Sequence, residues 1–320
     1  TNNIKSMDKK PSIHFILPAG GVKGCFQFGF MYQLKKNFSH LFDIYQIDGT
    51  SVGALNGYSI ITNSHEKMKK VWFSLKDRED LFSSWRIPII NKLVIGYNAL
   101  YNNGIFAKDK LKKHIYNSNK CSIEMNKYNC AVCNLNTGDT EYINGTNPNI
   151  EDFVLASSSP WIITEPVIID NAAYIDGGLL DTYPIRDLKS SKADIIVFVG
   201  FDPHHDYISN GIGNNMLEYL AHLIDILRYQ KHQHTKIDIS DIYKSLNVVK
   251  IQTTVHTSNF LNFDPEIIQK GFQDGVVAAN KFVVDYLPTF DKIKEFKTKT
   301  LKKSYSSDSL TLTFNTDKLV

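Results

Sequence analysis

The chain has few cysteines, no long apolar run and little net charge, and each shortage excludes a class of protein. Its 320 residues include four cysteines, which are too few and too unevenly spaced for a disulfide framework. The longest apolar run, residues 195–199, has the length of a buried strand and not of a membrane span. The net charge of +3 is far below the concentrated basicity of a nucleic-acid-binding protein.

The pattern of the first ten residues does not predict a targeting signal. Residues 1–10 are polar and contain no apolar core of signal-peptide length. The composition, 42% hydrophobic and 22% charged, is ordinary for a globular protein with a large core. We therefore expect a soluble protein that is cytoplasmic or peripheral at membranes.

Two of the cysteines form a C-x-x-C pair, Cys130 and Cys133. The surrounding residues have strand character, and a strand places residues three apart on opposite faces. No second pair of ligands lies nearby in the sequence, so we expect two packed thiols, with a metal or redox site as the alternative.

Strand and helix patterns alternate through the first part of the chain. Residues 12–17 have strand character, 18–24 form a glycine-rich loop and 25–34 have a helical pattern. A second strand over 44–47 is followed by a helix over 52–62. This order predicts an α/β fold with a parallel sheet whose carboxyl edge collects the loops.

Later segments add three elements. Residues 127–134 and 140–143 flank the turn residues 136–139, which predicts a β-hairpin. Residues 195–200 predict a buried strand. Residues 216–229 carry apolar side chains at helical spacing, a stripe more typical of a core than of a membrane face.

The character of the chain changes near its end. We expect a polar segment over residues 1–11, a catalytic domain over 12–290 and a lysine-rich tail over 291–320. The lysines of the tail indicate either a solvated helix with a loose end or a patch that contacts anionic lipid.

Three glycine-centred stretches follow one another along the chain. They are Gly20-Gly21-Val22-Lys23-Gly24, Gly49-Thr50-Ser51-Val52-Gly53 and Asp176-Gly177-Gly178. The middle stretch has the G-x-S-x-G form of a nucleophile elbow, in which a serine sits on a sharp strand-to-helix turn. Such a serine needs a base and a site for developing negative charge, and the outer stretches are candidates for both. We therefore favour serine-dependent acyl hydrolysis.

An ordinary α/β-hydrolase is the first alternative. In that fold the elbow follows several strands, an H-G-G-G type loop lies upstream, and a later histidine completes the triad. Here 48 residues precede Gly49, and no histidine leads the upstream glycine loop. The histidines to weigh as alternative bases or metal ligands are His204, His205, His232 and His234.

The order and spacing of these motifs resemble the patatin-like phospholipases over residues 12–285. That family combines a G-G-x-[K/R]-G loop, a G-x-S-x-G elbow and a later D-G-G. Further similarities are Gly104-Ile105-Phe106, Leu135-Asn136-Thr137-Gly138, Ala156-Ser157-Ser158-Ser159-Pro160 and the Leu179-Leu180-Asp181 that follows Gly178. Thr182 departs from the pattern, because family members often carry an asparagine before the proline segment.

The resemblance implies a three-layer α/β/α fold with a mixed, mainly parallel central sheet. It implies hydrolysis of acyl esters of phospholipids and related lipids by a serine–aspartate dyad, without a histidine, a metal or a cofactor. Ser51 is then the nucleophile and Asp176 the base, with Asp170 and Asp181 as the nearest rivals. The implied supporting residues are Gly20, Gly21, Val22, Lys23 and Gly24 for the oxyanion, Gly49 and Gly53 for the elbow, and Gly177 and Gly178 for the aspartate loop.

The resemblance also implies partners and leaves alternative functions open. The expected partners are a phospholipid or other acyl ester and a membrane surface, with no nucleic acid. A protein activator is compatible with the sequence. The same acyl-enzyme also suits an acyltransferase, and a non-catalytic lipid- or partner-binding protein can share the fold. The apolar region around Trp72, Phe73, Phe82, Trp85 and residues 87–95 suits a cap over an acyl channel, an interfacial contact or ordinary core.

Overall fold

The computed structural model describes residues 10–76, 80–81, 108–116, 124–160, 164–185, 188–201, 248–253 and 262–287. Within these residues one sheet contains eight strands. They are β1 Ser12–Leu17, β2 Asp43–Thr50, β3 Tyr128–Asn134, β4 Asp139–Asn144, β5 Val167–Ile169, β6 Ala172–Asp176, β7 Ile195–Phe201 and β8 Val248–Thr253.

Six α-helices lie in the described residues. They are α1 Gly24–Gln33, α2 Val52–Ile61, α3 His65–Ser74, α4 Asp109–Ile115, α5 Ile150–Ser157 and α6 Pro265–Tyr286. Short 3-10 turns occupy Gly21–Lys23, Met125–Lys127, Gly177–Leu179 and Leu188–Ser190, and a π-helical turn, Leu34–Phe38, extends α1. No helix in the described part of the chain is long and apolar enough to cross a membrane.

The sheet is mixed and mainly parallel. Its spatial order is β5-β6-β3-β2-β1-β7-β8, with β4 paired to β3. Strands β3, β2, β1, β7 and β8 are neighbours in this order and run parallel to one another. Strands β4 and β6 run antiparallel to β3, and β5 runs antiparallel to β6. Side chains of α1, α2, α5 and α6 pack in the main core on one face, and Leu188 of a 3-10 turn packs on the other face. The predicted fold class is confirmed.

Strand β1 shows why the central strands have almost continuous apolar sequences. Ile13, Phe15 and Leu17 belong to the main core, which also contains side chains of α1, α2, α5 and α6. Ile16 points to the other face and packs in a smaller cluster with Phe198. A strand buried on both faces has no solvent-facing positions, so its sequence does not alternate with polar residues.

The local elements of the sequence prediction largely agree with the structure. Strand β1 has the predicted bounds, α1 begins and ends one residue earlier than predicted, and α2 ends one residue earlier. The hairpin of β3 and β4 is confirmed, and Asn134 Oδ1 accepts the N–H of Asn136 at its turn. The predicted helix over 216–229 and the tail over 291–320 lie outside the described residues.

Two elements differ from the prediction. Strand β2 is eight residues long instead of the four predicted, because Asp43, Asp48 and Gly49, beyond the apolar run, also pair with β1. Helix α6 was not predicted. It packs along α1, with the rings of Phe30 and Phe282 5.7 Å apart.

Candidate active site

Ser51 lies on the turn between β2 and α2. Its backbone angles are φ 58° and ψ −126°, in a region that residues other than glycine rarely adopt. Such a conformation costs about 1–3 kcal/mol and persists only where the surrounding structure imposes it. Ser51 therefore has the strained strand-to-helix conformation of a nucleophile elbow.

The two glycines of the elbow allow this turn because the surrounding backbone is very close. A Cβ at Gly53 would lie 2.0 Å from the carbonyl oxygen of Leu17 on β1. A Cβ at Gly49 would lie 2.6 Å from the carbonyl oxygen of Gly53 itself. Both contacts are with backbone atoms, so any side chain at either position would displace β1, β2 or α2.

The sheet topology brings Asp176 to the elbow. Strand β4 pairs with one edge of β3, so β2 and β6 share its other edge. Strand β2 ends with Thr50 opposite Ala131, and β6, running the other way, ends with Asp176 opposite Val132. The carboxyl ends of β2 and β6 therefore meet on neighbouring positions of β3.

Ser51 and Asp176 are joined by a short hydrogen bond. The hydroxyl of Ser51 donates to Asp176 Oδ2 at 2.6 Å, and the N–H of Gly178 donates to Oδ1 at 2.7 Å. The Asp176 side chain is buried, with the residue 7% exposed. One carboxylate oxygen is therefore anchored to the backbone while the other faces the serine hydroxyl, which is the geometry of a general base.

A run of serines after α5 supports both members of this pair. The hydroxyl of Ser157 accepts the N–H of Ser51 at 2.9 Å and donates to Ala131 O at 2.7 Å. Ser158 donates to Ser51 O at 3.3 Å, and Ser159 O accepts the N–H of Asp176 at 3.1 Å. These roles were not predicted from the sequence, where three consecutive serines at the end of a helix were the available signal.

The glycine loop lies beside the elbow. Leu17, at the end of β1, pairs with Gly49 of β2, so the chain that follows β1 begins next to Ser51. The loop turns at Gly21, which has φ 57°, and enters the 3-10 turn before α1. The loop and Ser51 therefore share the carboxyl edge of the sheet.

The amides of this loop differ in their hydrogen bonding. The N–H of Lys23 donates to Gly20 O, and the N–H of Gly24 donates to Gly21 O and Val22 O. The amides of Gly20, Gly21 and Val22 donate to no acceptor among the residues that the structure describes. Unpaired N–H groups at the start of a helix are suited to an anion.

The rival aspartates lie elsewhere. Asp170 occupies the turn between β5 and β6 and accepts a hydrogen bond from Asn149. Asp181 accepts a hydrogen bond from the hydroxyl of Tyr142. Neither is hydrogen-bonded to Ser51.

A histidine does lie between an aspartate and a serine, but not at the elbow. His14 Nε2 is 2.8 Å from Asp48 Oδ2, and His14 Nδ1 is 3.0 Å from Ser191 Oγ. His14 and Asp48 are buried on β1 and β2. None of the histidines in the described ranges bonds Ser51. The candidates His204, His205, His232 and His234 lie outside the described residues.

The C-x-x-C cysteines and Trp72 lie in the core, whereas part of the apolar region that follows α2 lies outside the described residues. Cys130 and Cys133 are buried on β3, and burial raises the pKa of the Cys130 thiol. No cluster of metal-ligating side chains occurs in the portion of the chain described. Trp72 is buried in the core, whereas Phe73 is 44% exposed. Phe82, Trp85 and residues 87–95 lie outside the described residues.

The curated proteins to which the chain is similar include one from a bacterium and one from a fungus. It is 23% identical over 265 residues to uncharacterized protein YjjU of Escherichia coli (strain K12), covering 75% of this chain and 72% of that protein. It is 22% identical over 213 residues to lysophospholipase nte1 of Aspergillus terreus (strain NIH 2624 / FGSC A1156), covering 66% of this chain. The matched part is 13% of nte1.

Among solved structures, VipD from Legionella pneumophila matches 85% of this chain and 67% of its own, with a TM-score of 0.40 and 14% identity. The sequence model described as patatin-like phospholipase matches residues 15–189, which include the glycine loop, the elbow and Asp176. The matched residues are more than half of the chain. The chain therefore belongs to the patatin-like phospholipases, a family of lipid acyl hydrolases.

Proposed function

We propose that the protein hydrolyses fatty-acyl esters of phospholipids through a Ser51–Asp176 dyad, with phospholipase A or lysophospholipase specificity. The observation that carries this proposal is the 2.6 Å hydrogen bond from Ser51 Oγ to Asp176 Oδ2, made by a serine in the strained elbow conformation. The similarity to nte1, a lysophospholipase, supports the same class of substrate.

The first half of the reaction forms an acyl-enzyme. Ser51 Oγ attacks the ester carbonyl carbon while Asp176 Oδ2 takes the hydroxyl proton. The carbonyl oxygen becomes an oxyanion, which accepts hydrogen bonds from the amides of Gly21 and Val22. When the tetrahedral intermediate collapses, the bond to the leaving alcohol breaks and Asp176 returns the proton to that alcohol.

The second half releases the fatty acid. A water molecule attacks the acyl carbon while Asp176 Oδ2 takes one of its protons. The new tetrahedral intermediate uses the same loop amides, and its collapse breaks the bond to Ser51 Oγ. The proton on Asp176 passes to Ser51 Oγ, which restores the dyad.

The surroundings of Asp176 suit this role. A carboxylate is a weak base for an alcohol in water, but burial strengthens the hydrogen bond that it accepts from Ser51. The Gly178 amide holds the second carboxylate oxygen, so the side chain keeps its orientation without a histidine between acid and serine.

A fluorophosphonate probe tests the proposal directly. We expect the folded protein to be labelled at Ser51, located by mass spectrometry of the modified peptide, and to release fatty acid from a panel of phospholipid vesicles. Absence of labelling in folded protein, or labelling confined to another serine, would contradict the dyad. Labelling with acyl transfer to added alcohols in place of water would indicate an acyltransferase.

The proposal extends to contact with a membrane through the lysine-rich segment 292–303. Polybasic contacts contribute about 1 kcal/mol per residue at an anionic surface and weaken with salt. Truncation after residue 290 leaves α6 intact, because that helix ends at Tyr286. We expect the truncated protein to sediment less with anionic vesicles and to hydrolyse them more slowly.

A short-chain soluble ester is the control substrate for this truncation, and its hydrolysis should be unchanged. Unchanged vesicle sedimentation would exclude the segment as a membrane contact. Loss of soluble-ester hydrolysis in a folded truncated protein would instead place the segment in the structure of the site.

A further inference from the structure

Two buried side-chain amides lie directly behind the glycine loop. Gln27 belongs to α1 and Asn56 to α2, and both are 0% exposed. Asn56 Nδ2 donates to Gln27 Oε1 at 2.9 Å. Because burying an amide is costly unless its polar atoms are bonded, the partners of this pair show what it holds in place.

The amide pair bonds both ends of the loop. Gln27 Nε2 donates to the carbonyl oxygen of Pro18 at 3.3 Å and to that of Val199 on β7 at 3.0 Å. Asn56 Nδ2 donates to the carbonyl oxygen of Gly24 at 3.0 Å. Pro18 and Gly24 bracket the loop, so the pair ties its two ends to each other and to the sheet.

The network is complete and has a single orientation. Trp72 Nε1 donates to Asn56 Oδ1 at 3.2 Å, so every N–H and both carbonyl oxygens of the two amides have partners. Flipping either amide would place N–H groups against N–H groups or oxygens against oxygens. A fully bonded buried network is rigid and specifies one arrangement of the backbone that it contacts.

A further bond ties the loop to the aspartate segment. The N–H of Ala19 donates to Thr182 O at 3.0 Å, and Thr182 lies in the segment that follows Asp176. The side chains of Gln27 and Asn56 therefore hold the loop toward α1 and α2. The backbone bond from Ala19 to Thr182 holds it toward the segment that contains Asp176.

We infer that Gln27 and Asn56 are positioning residues that hold the loop amides of Gly21 and Val22 where the oxyanion develops. This inference rests on the proposed function. Oxyanion donors act only when they are preorganised, and within the described residues the amides of Gly21 and Val22 donate no hydrogen bond that would fix them. The hydrogen bonds from Gln27 and Asn56 to the carbonyl oxygens of Pro18 and Gly24 hold the loop in place instead.

The test uses Gln27→Met and Asn56→Ala in the full chain. We expect kcat on a soluble ester to fall by about 100-fold with KM within about threefold, because the oxyanion forms only in the transition state. Asn56→Ser retains a hydroxyl donor and should lie between Asn56→Ala and wild type.

Hydrogen exchange of the peptide covering residues 18–24 provides a readout that does not depend on activity. The amides of Ala19, Lys23 and Gly24 are bonded in the wild type. We expect them to exchange at least about tenfold faster in both variants, because the loop opens locally once its carbonyls are released.

Thr62→Val is the matched control. It removes a buried hydroxyl that donates to Tyr58 O at the far end of α2, at 2.7 Å, without touching the loop. We expect it to lower the unfolding midpoint while leaving kcat and the exchange of residues 18–24 unchanged.

The outcomes separate the inference from the proposed function. A wild-type protein that hydrolyses no ester would overturn the proposed function, whereas the exchange data would still decide whether the amides hold the loop. If the wild type is active, a kcat within threefold of wild type in folded Gln27→Met or Asn56→Ala overturns the inference. Loop exchange no faster than in Thr62→Val overturns it as well.

Discussion

Replacing Ser51 with alanine is expected to abolish ester hydrolysis, lowering kcat/KM by about four orders of magnitude or more. The variant loses the atom that would form the acyl-enzyme. The fold should persist, because the hydroxyl makes one hydrogen bond within the described residues, to Asp176, and such a bond contributes about 1 kcal/mol. Fatty-acid release and the thermal unfolding midpoint measure the two effects separately.

Ser191→Ala is the matched control for Ser51→Ala. Ser191 is hydrogen-bonded to His14, which is in turn hydrogen-bonded to Asp48. This serine–histidine–aspartate arrangement does not include Ser51. We expect this variant to keep wild-type turnover and fluorophosphonate labelling. Appreciable turnover in purified Ser51→Ala, or its loss in folded Ser191→Ala, would contradict the assignment of the nucleophile.

Replacing Asp176 with asparagine is expected to be as damaging as Ser51→Ala. The amide oxygen can still accept the N–H of Gly178, so the loop keeps its anchor. The nitrogen, however, would face Ser51 Oγ as a donor and cannot take its proton. Turnover of a soluble ester should therefore fall to the level of Ser51→Ala, with the unfolding midpoint close to that of the wild type.

Asp170→Asn is the control for this variant, because Asp170 lies in an exposed turn where asparagine tolerates the positive φ. Asp170→Asn should retain most activity.

Alanine variants of five histidines should also retain most activity, because the proposed dyad contains no histidine. A chelator should not lower the rate of hydrolysis, since no step uses a metal. These histidines are His204, His205, His232, His234 and His256. Complete loss of activity in one folded histidine variant would indicate a triad.

Local patterns in the sequence were sufficient for the elements that depend on near neighbours. The apolar run of β1, the turn of the hairpin and the helices α1 and α2 were predicted within one or two residues. The G-x-S-x-G stretch predicted a turn between a strand and a helix, and Ser51 lies on such a turn. These features depend on backbone preferences and on side chains a few positions apart, which the sequence displays directly.

Helix α6 shows that a local signal can be present and overlooked. Asp264 caps its first turn by accepting the N–H of Glu266, and Pro265 occupies the first helical position. Both residue types are favoured at these places. The apolar face of α6 packs on α1, which lies more than 200 positions earlier in the chain, so the local sequence does not show its partner.

Only the tertiary structure decided which groups surround Ser51. Asp176 reaches it because β2 and β6 approach the same edge of β3 from opposite ends, a consequence of strand order and direction. The serines after α5 and the Gln27–Asn56 pair come from helices packed around that junction. The sequence by itself determined which residues have suitable chemistry, whereas strand pairing and helix packing, which act between distant residues, determined which of them meet.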